Sequence, residues 1–184
     1  MLIVLKGEEV RSQAVGAALR GEAPTAIQPR VVLEVDDAVN YLRLRAEHMT
    51  GFAGNATQRL REIHEQLSTE EGLSDSARLY VERLIARSRS DNSIYSIRNV
   101  ERCIGAAHWL RVAIEHTKPD RREFLEKMLK SLLDHWRLST KQIEGVNKWG
   151  EGIRKLLSDF PVLDTTTFEG VHTPKFATNQ KSGS

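Results

Sequence analysis

Two short rows, Tyr80, Arg83, Arg87 and Tyr95, Arg98, Arg102, are the residues best suited to chemistry in this chain. Each row is a tyrosine, then an arginine three on, then another four further on, so on a helix its side chains share one face. Between the rows stand Ser88, Arg89, Ser90, Asn92 and Ser93, all able to donate to phosphate oxygens. Guanidinium forks grip phosphates and aromatic rings stack on bases, a combination suited to single-stranded nucleic acid. The candidate nucleic-acid-binding set is therefore Tyr80, Arg83, Arg87, Arg89, Tyr95, Arg98 and Arg102. Glu82, Asp91 and Glu101 interleave with these arginines. The opposing reading is a solvated or protein-facing surface, on which such ion pairs contribute little.

The balance of cations points the same way. The net charge is only +2, yet no lysine occurs between Lys6 and Lys118 while arginines run through that stretch. Arginine suits bidentate contact with carboxylate or phosphate, although coding in a GC-rich genome gives the same bias. With 28% charged residues of both signs, 40% hydrophobic residues and a mean hydropathy of -0.42, the expectation is one soluble, cytoplasmic domain with no membrane segment.

Other chemistries find little footing. On the helical segments no glutamate sits three residues before a histidine and no two histidines sit four apart, so no metal site is expected. No phosphate loop or dinucleotide fingerprint is present, and no cofactor is expected. Cys103 lies between apolar helical positions and reads as a small buried side chain. Trp109, Trp136 and Trp149 read as core fillers. Arg102 and His108 stand six apart; Arg43 and His48, Arg59 and His64, and Arg111 and His116 stand five apart. In this spacing, and in being all-helical, the chain resembles ribonucleases of the HEPN type. The resemblance implies His108 as general acid or base and Arg102 as phosphate anchor, across a dimer interface.

The elements that must position these residues are mainly helical: a bundle of five to six helices (36–160) with one long helix, a small strand and helix appendage (1–35) and an extended C-terminal arm (161–184). Leu2–Leu5 reads as a strand and Glu8–Leu19 as a helix. Val39, Leu42, Ala46, Met49, Ala53, Ala56, Leu60, Ile63 and Leu67 keep an unbroken three-four spacing, which predicts one helix from Asp36 to Ser68. Gly51 and Gly54 interrupt it, and Asn55 with Gln58 resembles a capping box, so a break near Gly51 is the competing outcome. Further helices are expected from Ser74 to Arg89, from Ile94 to Thr117, from Pro119 to Gly145, and from Val146 to Phe160 ahead of Pro161. The arm is expected to lie on a neighbour.

The function expected is a non-enzymatic helical subunit of a larger assembly, touching a nucleic-acid backbone through the Arg/Tyr rows. Its partners would be other subunits or itself. The alternative is a purely structural oligomer of virion or scaffold type, and a HEPN-like ribonuclease ranks third.

Overall fold

The computed structural model describes residues 35–67, 69, 72–89 and 92–174. Six α-helices occur among them: α1 Val35–His48, α2 Thr57–Leu67, α3 Asp75–Ser88, α4 Ile97–Glu115, α5 Glu123–His135 and α6 Thr140–Arg154. The expectations for Leu2–Leu5 and Glu8–Leu19 lie outside the described residues. Helix α1 packs against α2, α3 and α4, while α5 joins α4 to α6. No described helix is long and apolar enough to cross a membrane.

The single long helix is replaced by two. Residues 49–56 form a turn in which Gly51 (φ 87°) and Gly54 (φ 70°) are left-handed. The Asn55 amide donates at 3.0 Å to the carbonyls of Arg45 and Met49, adding a second donor to carbonyls that also accept from the Met49 and Phe52 N–H groups at the end of α1. Asn55 therefore closes the helix before it, and Gln58 pairs with Glu62 instead of completing a capping box. Of the periodic residues, Met49, Leu60 and Ile63 are buried whereas Ala53 and Ala56 are exposed. The turn is tied to α5 by the bond from Ala53 N–H to the Leu133 carbonyl (2.9 Å). Gly51→Ala is accordingly expected to lower stability by about 1 kcal/mol, since a left-handed backbone penalises any residue with a Cβ. In a continuous helix the same change would raise stability by about 1 kcal/mol, so the sign in a urea melt separates the two.

Helix α3 follows its pattern closely. Ser74 accepts from the Ala77 N–H as N-cap, and Ala77, Val81, Leu84 and Ile85 point inward. Helix α4 starts at Ile97, later than the apolar pattern suggests, because Ser96 caps it and Ile94 N–H is committed to the His172 carbonyl. After a single 3-10 turn, Pro119–Arg121, helix α5 ends at His135 and does not reach Gly145. Trp136 turns left-handed (φ 58°), and Ser139 with Gln142 forms a capping box that opens α6. Gly145 falls inside α6, where a Cβ would stand 3.1 Å from the Phe124 ring. Its role is close helix packing, not termination.

The arm from Pro161 to Pro174 has no regular structure, and it lies along its own bundle. Trp109 donates to the Pro161 carbonyl (2.7 Å), and the Asn147 side chain brackets Leu163 by donating to its carbonyl and accepting from its N–H. Phe168 and Val171 are buried, and Arg137 donates to the Val171 carbonyl (2.7 Å). His172 then pairs with Ser93 in a one-residue parallel bridge. The arm thus fixes the loop joining α3 to α4. Residues 175–184 of the expected arm lie outside the described residues.

Candidate nucleic-acid interface

Helices α3 and α4 do not form the tight hairpin that would lay the two rows side by side; α3 packs on α1, and α4 packs mainly on α5 and less on α1. The rows instead meet end to end. Arg87, in the last turn of α3, lies over the Tyr95 ring (5.9 Å from guanidinium carbon to centroid), just before α4 begins. At the other end Arg59 of α2 lies 4.9 Å over the Tyr80 ring. The result is a strip through Arg59, Tyr80, Arg83, Arg87, Tyr95, Arg98 and Arg102, with Arg89 exposed beside it. Arg59, Arg83, Arg87 and Arg98 are exposed and Arg102 is half-buried.

Each tyrosine of the rows carries an arginine on its ring. Both are half-buried and pack against the core. Tyr95 meets the Trp136 ring edge-on (5.4 Å) and carries Arg87, while Tyr80 carries Arg59. With rings engaged in this way they hold arginines in place. Arg59 was not among the residues expected, because only the tertiary fold brings α2 against Tyr80.

Electrostatically the strip differs from much of the remaining surface. Arg43, Arg78 and Arg121 pair with Glu47, Asp75 and Asp120, and Lys127 and Lys130 pair with Glu123 and Asp134. Among the described residues no ion pair within 4 Å forms on Arg59, Arg83, Arg98 or Arg102. The Asp164 carboxyl is held below its usual range mainly by the Thr166 N–H and hydroxyl, with Arg102 adding a smaller pull. Gly105 extends the face of Arg98 and Arg102 at the next helical repeat, and a Cβ there would meet nothing within 4 Å. A polyanion backbone can therefore approach α4 closely at that point.

Beneath the strip lies a buried cation. Arg45 is 2% exposed and has no carboxylate within 4 Å among the described residues. Neutral dipoles and rings satisfy it: it donates to Asn55 Oδ1 (3.0 Å) and Tyr41 Oη (3.4 Å), and stands 5.1 Å over Trp136. Tyr41 in turn donates to the Tyr95 carbonyl (2.9 Å). Arg45, Trp136, Tyr95 and Arg87 thus form a chain of cation, two rings and cation from core to surface, holding the junction of the two rows.

Burial raises the pKa of both Tyr41 and Cys103; for Tyr41 the nearby Arg45 opposes the rise in part. Cys103, whose thiol donates to the Trp136 carbonyl (3.0 Å), is thus a protonated core group and no nucleophile. Both groups hold protons more tightly folded than unfolded. The unfolded chain therefore deprotonates first as pH rises. Stability is full below the unfolded thiol's ordinary value of about 8.5 and falls above it, by about 1.4 kcal/mol per pH unit for Cys103. Urea melts at pH 7.5 and 10.5 should show this loss, and Cys103→Ala should remove the thiol's part of it.

Elsewhere the geometry offers less. Arg102 and His108 lie about 120° apart around α4, so within one chain they do not converge. Among the described residues no three His, Cys, Asp or Glu side chains stand together as a metal site. An open cavity of about 610 Å³ lies between the end of α5, the start of α6 and residues 165–171. Several of its polar groups are already engaged, Ser139 and Gln142 in the capping box and Arg137 on Val171. Trp109 and Trp136 are buried, and Trp149 is half-buried on the Phe124 ring (6.0 Å between centroids). No family model matches the chain, and neither a curated protein nor a solved structure is significantly similar to it.

Proposed function

We propose that this chain is a non-catalytic helical subunit that holds a nucleic-acid backbone along the strip from Arg59 to Arg102. One observation carries the reading: arginines from three helices line the strip, two of them seated on tyrosine rings, and among the described residues four form no ion pair within 4 Å. A surface whose arginines form few close ion pairs binds a polyanion by releasing the ions condensed on it. Because the tyrosine rings are engaged, recognition runs through phosphates and is insensitive to sequence. The test is binding of the full chain to labelled single-stranded RNA, single-stranded DNA and duplexes across a salt series. Affinity that falls steeply with salt and varies little with sequence supports the reading; no salt-dependent binding to any of them rejects it. Cleavage of RNA, lost in His108→Ala with binding retained, would favour the ribonuclease instead.

A further inference from the structure

We propose that the groove at the C-terminal end of α6 is a docking site for a partner protein presenting an acidic amphipathic helix. The groove encloses about 180 Å³, room for one or two side chains and too little for most small-molecule sites. Trp149, Ile153 and Leu156 supply its apolar surface, and Lys118 and Arg121 its charged rim, with His116 beside them. Among the described residues no carboxylate lines it, and Asp120 pairs with Arg121, at 3.9 Å. Leu156 continues the register of Val146, Trp149 and Ile153, yet it is 73% exposed. Leu157 and Val162, close by in the chain, are exposed as well.

Gly152 is an independent sign. It lies inside α6, where glycine weakens a helix, and a Cβ there would meet nothing within 4 Å. At Gly150, two residues before, a Cβ would strike the Trp109 ring at 2.9 Å. The fold accounts for Gly150 but gives Gly152 no packing role; a partner backbone drawn close over the groove does. An apolar floor under a cationic rim selects an amphipathic helix with acidic flanks. The groove and the arginine strip occupy opposite ends of α4, about 27 Å apart between Arg98 and His116, so both can be filled at once.

The test uses the full chain and two labelled helical peptides with leucines in the same register, one with glutamate and the other with lysine at every polar position. The glutamate peptide should bind at least tenfold more tightly, and Lys118→Glu with Arg121→Glu should reverse the preference. Gly152→Leu should weaken glutamate-peptide binding tenfold or more while raising the melting temperature, which separates a blocked groove from a damaged fold. Equal binding of the two peptides, no binding by the wild type, or full binding by Gly152→Leu would overturn the proposal. Self-association seen by light scattering and abolished by Leu156→Asp would also overturn it, assigning the groove to a second copy.

Discussion

Replacing Arg59, Arg83, Arg98 and Arg102 with alanine should flatten the dependence of log affinity on log salt for single-stranded RNA by about 0.7 for each phosphate contact removed, so by about 3 if all four make one. Affinity should fall for every sequence alike, because none of these groups is placed to read a base edge. The fold should survive, since three of the four are exposed, Arg102 is half-buried, and none forms an ion pair within 4 Å among the described residues. Circular dichroism and a urea melt provide that control. A quadruple variant with unchanged slope and unchanged stability would show that the strip faces solvent or protein.

Trp136→Ala should cost about 3–5 kcal/mol, a large part of the stability of a domain this size. The ring stands 5.8 Å from Phe52 and 5.4 Å from Tyr95, and Arg45 lies 5.1 Å over it. Its Nε1 donates to the Ala53 carbonyl (2.9 Å), tying the 49–56 turn to the elbow between α5 and α6. Truncation opens a cavity beside Arg45, a buried cation that then loses one of its aromatic faces. Trp136→Gly separates packing from backbone. It should recover about 1 kcal/mol relative to alanine, because residue 136 is left-handed. A loss below 1 kcal/mol for Trp136→Ala in equilibrium denaturation would mean that the ring does not anchor these elements.

What the sequence determined by itself was local. The inward face of α3, its Ser74 cap and the end of α4 before Pro119 all follow from forces that act within a turn or two of helix. The start of α6 was not read from the sequence: the break was placed at Gly145, whereas the Ser139 and Gln142 capping box sets it. Three-four spacing, however, counts residues without sensing direction, so a turn of eight residues that keeps phase reads like continuous helix. Whether 36–68 was one helix or two depended on Arg45, Leu133 and Trp136 converging on the turn, the last from 83 residues away. The strip divides in the same way: the two Tyr-Arg rows were visible as spacing. The placement of Arg59 on Tyr80, the engagement of both tyrosine rings and the return of the arm to Ser93 were decided by tertiary packing, because each joins segments that local propensity treats separately.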